Sequence, residues 1–257
     1  MLSNLFSFNL ESINISSIKE SFLNFKEEEA TPIVLKNYLF SLEMRTNMIN
    51  WLTFLCNTLN FTNITLFRTV TIFDQYISKI SEKEIKEMTQ EKLNLITIAS
   101  LSLSTKLEEV NCNYISFLND KVLNSPNKKI FSNKDLTKME LIILKKLKFK
   151  ILYSTPLDFI NIYLNIFQNF HGKSGNFFSQ DIISNIKLVS LNIMKDNINN
   201  VSYLINGSSD YASLCFIQAL NLISMNCMNS IFKFGNNNFL AFNNNFSRFF
   251  KVLFCGN

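Results

Sequence analysis

The chain has little of what builds tight corners: its 257 residues include only 5 glycines and 3 prolines. Sandwiches and barrels turn every few residues and draw on both for it. Their scarcity disfavours a β-rich fold and points to helices. Histidine occurs once, at His171, and the 5 cysteines (Cys56, Cys112, Cys215, Cys227 and Cys255) are scattered with no C-x-x-C pair. No zinc set of ordinary spacing can be assembled from these residues, so neither metal nor cofactor is expected. Reduced, buried thiols suit a protein of the nucleus or cytoplasm. The "HGKS" at His171 lacks the earlier glycine of a phosphate loop, because Phe167 stands there. G-x-G-x-x-G, G-x-S-x-G and H-E-x-x-H are all missing. Without a constellation of convergent polar groups, the chain reads as a binding protein and not as an enzyme.

A concentrated charge of one sign is also absent. The formal net charge is +5, and the 25 basic residues are spread out, with few arginines among them. The densest cluster is "LKKLKFK", Leu144 to Lys150. A nucleic-acid binder gathers its basic residues on one face, so direct contact with nucleic acid is not expected. The first residues carry neither a basic region nor a long apolar stretch, so no secretory signal is expected there. They also lack an R-x-x-L or K-E-N stretch. Tyr211 to Phe232 is uncharged but contains Gln218, Asn221, Asn226 and Asn229. Those amides are costly in lipid, so the segment reads as a core helix and no membrane span is expected.

What is present is apolar material, 47% of the residues, with 26 phenylalanines. That is ample for a core. Residues 1–33 are weakly periodic and end in "KEEEATP", a solvated boundary. A first helix is expected from Asn37 through Leu55. A second, capped by Thr62, runs to Ile77, and a third runs from about Glu91 to Leu107. The third is apolar nearly all round, as befits a central helix, and its Ala99, Ser100, Ser102 and Ser104 let neighbours come close. A short fourth helix is expected in "NYISFLNDKVL", then a loop at "NSPNKK". A fifth helix follows from Ser132 to about Leu147. "KFKILYST" is extended, and Pro156 opens the next helix. A loop is expected at "NFHGKSGN", with further helices near 179–197, 209–226 and 238–254. Two groups of about five helices thus meet near residue 153.

Some charges sit inside these apolar helices: Arg45, Asp74 and Glu140, with Lys106, Glu108 and Glu109 closing the third. Taken singly, each suits a solvated face. Yet acidic residues at a helix C-terminus face its partial negative charge, at a cost of about 0.3–1 kcal/mol each when exposed. Something beyond that helix should favour Glu108 and Glu109.

Together these stretches resemble the cyclin box. "MRTNMINWL" is similar to the M-R-x-x-L-x-x-W-L of its first helix. "NITLFRTVTIFDQYIS" resembles its second, "LNLITIASLSLSTKLEEV" its third and "FSNKDLTKMELIILKKLKF" its fifth. The likeness keeps motif order from about Asn37 to Phe149. "STPLDFINIYLNIF" looks like the opening of a second cyclin fold. The resemblance implies an all-α protein of two consecutive five-helix cyclin-type domains. Residues 1–33 would be an extension, 34–153 the cyclin box and 154–257 the second domain.

The resemblance also implies roles. Arg45 and Asp74 would form a buried salt bridge, with Leu95 a core leucine. Lys106 and Glu140 would hydrogen-bond to a kinase backbone, and Leu103, Leu107, Glu109, Leu144 and Ile151 would line the same groove. Met44, Met48, Trp51 and Asn94 would form part of a patch for substrate docking peptides. In that patch Asn47 replaces an apolar residue, and Phe54 falls where an acidic residue would meet the peptide's arginine. Gln75 stands for the usual arginine of the second helix, and Leu107 for the usual aromatic after the lysine. The implied function is a regulatory subunit, itself without catalysis, that binds and activates a cyclin-dependent kinase in cell-cycle control, in the nucleus or cytoplasm. The alternative is a cyclin-fold adaptor, linked to transcription, that binds a partner without activating a kinase.

Overall fold

The computed structural model describes residues 15–34, 38–110, 132–171 and 180–230. Among these the regular structure is helical: α1 (Ile15–Glu27), α2 (Leu42–Thr58), α3 (Asn63–Ile77), α4 (Glu82–Lys86), α5 (Gln90–Glu108), α6 (Asn133–Lys146), α7 (Pro156–His171), α8 (Gln180–Asp196), α9 (Val201–Ile205) and α10 (Ser208–Ser230). The helices expected in 113–123 and 238–254, the "NSPNKK" loop and Gly172–Asn176 lie outside the described residues.

The helix starts follow local chemistry. Ser41, Thr62, Ser81, Thr89 and Ser132 each accept the backbone N–H three residues on, as N-caps do. Ser81 with Glu84, and Ser132 with Asp135, close reciprocal capping boxes. The Ser41 cap starts α2 five residues later than Asn37, the start expected from the periodicity. Tyr38 and Phe40 are buried ahead of the helix and carry that periodicity without belonging to it. Helix α1 was not expected. Its residues look weakly periodic because, from Ser17 to Glu27, Phe22 alone is deeply buried. The end of α2 and the end of α6 are closed by Schellman motifs. Phe61 and Phe149 donate to Cys56 O and Leu144 O, Asn60 and Lys148 to Asn57 O and Lys145 O.

The chain forms two compact units. One comprises Glu28–Leu157 and Asn197–Ser209. Its centre is α5, buried continuously from Ile96 to Thr105 and packed most extensively on α3 and α6. Small residues permit that approach, and the Ser104 hydroxyl donates directly to Thr65 O on α3, at 2.9 Å. Thr97 and Ser100 satisfy their hydroxyls on carbonyls one turn back. Leu95, expected in the core, is only half-buried, and Leu93 and Ile96 fill the core instead. The segment 197–209 belongs to this unit, a return that the boundaries at residues 33 and 153 do not contain. Tyr203 stacks on Phe67, Ile33 donates to Leu204 O, and the Glu29 carboxylate accepts the N–H of Ser209. That N–H lies in the first turn of α10, where no carbonyl of the helix can reach it.

The second unit holds the described residues of Met1–Glu27, Asp158–Asp196 and Asp210–Asn257. Phe22 and Phe25 of α1 meet the ring of Phe159 edge-on. Tyr163 and Phe167 of α7 pack on Phe216 of α10. The Tyr211 hydroxyl donates to Met194 O at 2.8 Å, closing α10 onto α8. Burying a large aromatic removes roughly 150–250 Å² from water, so these rings dominate this core.

Candidate functional site

The C-terminal turn of α5 and the middle of α6 meet at Glu140. Ser102 and Lys106 are one helical turn apart on α5 and so share a face. The Ser102 hydroxyl donates to Glu140 Oε1 at 2.6 Å, and Lys106 Nζ lies 2.7 Å from both Glu140 oxygens. The Glu140 side chain is 6% exposed and that of Lys106 41%. The carboxylate is thus held inside while the ammonium reaches the surface. A pair this exposed on one side contributes at most about 1 kcal/mol. Removing Lys106 alone would leave a buried carboxylate with the Ser102 hydroxyl as its remaining hydrogen bond.

The two glutamates after Lys106 are engaged elsewhere. Glu108 pairs with Arg68 of α3 at 2.7 Å. Glu109 accepts from the Thr62 N–H at 2.9 Å and from the hydroxyls of Thr62 and Thr65. A carboxylate at a helix N-terminus meets its partial positive charge. The cost of acidic residues at the end of α5 is therefore offset by the start of α3. Expected in the groove, Glu109 here ties two helices together. The signal in the sequence was the Thr62 cap, which fixed a helix N-terminus without showing what would approach it.

The apolar residues expected in the groove differ in access. Leu103 is buried, Leu144 and Ile151 are half-buried, and Leu107 is exposed. Phe149, not singled out from sequence, is 64% exposed, and Leu152 59%. Lys148 and Phe149 both have positive φ, 54° and 60°. Such a conformation costs a residue with a side chain roughly 1–2 kcal/mol.

Arg45 and Asp74 do pair, and the pair does more than join α2 to α3. Arg45 Nε and Nη2 donate to the two Asp74 oxygens at 2.9 and 2.8 Å. Nη1 donates to Ile198 O and Asn199 O, each at 3.2 Å. The Tyr38 hydroxyl also reaches Asp74 Oδ1, and the Tyr203 ring lies 5.8 Å from the guanidinium carbon. Burial pushes the Asp74 carboxyl above the ordinary carboxylate range, against the opposing pull of Arg45's charge and hydrogen bonds. Burial also drives the Tyr38 and Tyr203 phenols far upward, so both stay protonated donors. The other residues predicted for docking lie on α2 and α5. Met48 is buried, Met44, Trp51 and Asn94 are half-buried, and Asn94 accepts from Gln90. Phe54 is 59% exposed.

A central helix closed by a lysine on a buried glutamate, and a buried arginine–aspartate pair between the two preceding long helices, are the features the cyclin-box motifs carry. Residues 19–152 match the family model described as the N-terminal domain of cyclins. The chain belongs to the cyclin family. Among curated cyclins it is 31% identical over 126 residues to Cyclin-B2-1 of Arabidopsis thaliana, covering 49% of this chain and 27% of that one. It is 26% identical over 156 residues to G2/mitotic-specific cyclin-1 of Medicago sativa subsp. varia, covering 59% and 34%. It is 28% identical over 138 residues to Cyclin-D3-2 of Arabidopsis thaliana, covering 53% and 36%. The matches thus span about a third of these relatives' length. The fold is that of a viral cyclin from herpesvirus saimiri, with a TM-score of 0.62 at 16% identity, covering 93% of this chain and 96% of the viral one. Among the described residues no cluster of side chains could hold a metal ion, and no helix is long and apolar enough to cross a membrane.

Proposed function

We propose that this cyclin is the regulatory subunit of a cyclin-dependent serine/threonine kinase, acting in cell-cycle control. The observation that carries this reading is the half-open Lys106–Glu140 pair, with Leu107 exposed and Leu144 and Ile151 half-buried. The cyclin supplies no reacting group. Its surface would take the kinase's mobile helix and bias it toward the position in which the helix glutamate meets the ATP-positioning lysine. Lys106 is free enough to donate to a kinase carbonyl, and Glu140, held by Ser102, stays fixed while it does so. Met44, Met48, Trp51 and Asn94 would contribute to substrate docking, and the complex would act in the nucleus or cytoplasm.

The test is a pull-down from native extract, with any bound kinase identified and assayed. A bound kinase whose activity rises with the cyclin is expected. The Lys106→Ala, Glu140→Ala double variant, checked for an unchanged melting profile, should lose most of the bound kinase. Capture at wild-type strength by that variant would overturn the reading. A second reading, an adaptor that binds without activating, is favoured by Leu107 standing for an aromatic. Tight binding without stimulation would select it.

A further inference from the structure

Asparagine is followed by glycine at one place in the chain, Asn206-Gly207, in the turn between α9 and α10. Such a pair carries its own reactants: the Asn206 side-chain amide and the backbone nitrogen of Gly207, with no β-carbon to hinder the approach. The fold bonds both flanks of this pair to residues 29–33. Glu29 accepts the Ser209 N–H at 2.6 Å, and Ile33 donates to Leu204 O at 2.9 Å. The Glu29 carboxylate also explains the glycine. A β-carbon at residue 207 would lie 2.6 Å from Glu29 Oε1 and 2.8 Å from its Cδ. Asn206 is half-buried, and among the described residues its side-chain amide makes no hydrogen bond. Its backbone N–H is bonded back to Ser202 O at 3.1 Å, with φ −94° and ψ 149°. At that ψ the side chain and the Gly207 nitrogen are splayed apart, so the backbone must rotate before they can meet.

We propose that Asn206 is a site of spontaneous deamidation and that its rate is set by the Glu29 tie. Gly207 N loses its proton and bonds to Asn206 Cγ; the Cγ–Nδ2 bond breaks, and ammonia leaves with that proton. Water then opens the cyclic imide at either carbonyl, leaving aspartate or isoaspartate without any oxidant. Two features of the fold slow the attack. Rotation at Asn206 is restrained by the bonds at Leu204 and Ser209, and the Glu29 charge against Gly207 opposes loss of the nitrogen's proton. The reaction therefore waits on local opening of this turn. Its product then holds the turn less firmly. Isoaspartate adds a carbon to the main chain between the two ties, and the new carboxylate stands one residue from the Glu29 contact, like charge facing like.

The test ages the full chain at mildly alkaline pH and follows its tryptic peptide Asp196–Lys233 by mass spectrometry. Fragmentation assigns each amide turned to acid, and an isoaspartyl methyltransferase reports isoaspartate. Asn206 should convert ahead of Asn197, Asn199, Asn200 and Asn221 of the same peptide. Glu29→Ala should convert it about fivefold faster, as the loss of one hydrogen bond predicts. Glu43→Ala, on α2, removes the same charge elsewhere and should change the rate less than about twofold. In urea, where the tie is gone, wild type and Glu29→Ala should convert at one common, faster rate. Conversion of Asn206 no faster than of its neighbours, equal native rates in wild type and Glu29→Ala, or a difference that persists in urea would overturn the assignment. Should Glu29→Ala fail to fold, the wild-type rate across the urea transition decides: it must climb, and a flat rate overturns the role of the tie. In the converted chain, the amides of Ile33 and Ser209 should exchange faster than in the fresh one, and unchanged exchange would overturn the loosening. No kinase enters the measurement, so its outcome is independent of that reading.

Discussion

At Lys148 the backbone is held where glycine is the ordinary occupant. It stands two residues beyond the end of α6 with φ 54°, inside a Schellman motif. The matching place after α2 is filled by Asn60, which tolerates that conformation better. Lys148→Gly should therefore raise stability by about 0.5–1 kcal/mol, seen as a melting temperature about 2–4 °C higher. A fall would show that the lysine stem packs usefully where it stands. Arg45 behaves oppositely. Arg45→Ala strands a buried carboxylate and should cost about 3–5 kcal/mol in a urea titration, whereas Arg45→Met with Asp74→Leu should cost much less. Burial also pushes the Cys215 thiol up to about 11. Iodoacetamide at neutral pH should then leave Cys215 largely unmodified in the native chain, as read by peptide mass spectrometry, and modify it once urea is added. At this scale the sequence showed Arg45, Asp74, Lys106 and Glu140 by their place in motifs. It did not show Arg68 or Ser102, because an arginine in an apolar helix and a serine in a central one have no spacing that names their partners.

For the helices, the capped starts of α3 and α6 were legible in the sequence. Thr62 and Ser132 marked α3 and α6 because capping is a local event, decided within four residues. What docks on a capped end is not local. Glu109 reaches the N-terminus of α3 from 44 residues away, and no window of sequence contains that bond. Glu109→Ala should lower stability by about 1 kcal/mol, and hydrogen exchange should quicken at the first amides of α3 before those of α2. Equal change in both helices would mean the effect is global. The capping boxes also set a pH dependence. The Ser132 hydroxyl and N–H hold the Asp135 carboxyl below its ordinary range. A depressed folded value means that the contribution is present above the unfolded pKa and is lost as pH falls through the folded one. In a titration followed by NMR, Ser132→Ala should move the Asp135 midpoint upward. An unmoved midpoint would assign the shift to Lys134 and Lys138 instead.

At the largest scale, the unit built on α2–α6 is completed by residues 197–209. A cut near residue 153 leaves the α2–α6 unit without 197–209. Tyr203 would leave the ring of Phe67, and Arg45 would lose two carbonyl acceptors. A fragment of residues 34–153 should therefore unfold at lower urea than the full chain, as followed by circular dichroism. Equal midpoints would show that the return segment is dispensable. Helical composition and the cyclin-box motifs made the fold class readable. The return was hidden because Gly207 and Tyr203 carry no periodic signal, although any β-carbon at Gly207 would lie 2.6 Å from a Glu29 oxygen. The same closure has a consequence for synthesis. Arg45 leaves the ribosome 153 residues ahead of its acceptor at Ile198. At roughly 5–20 residues per second the delay is about 8–30 s. Throughout that interval the nascent box holds a guanidinium whose last hydrogen bonds do not yet exist, and it is then that a chaperone would find it open.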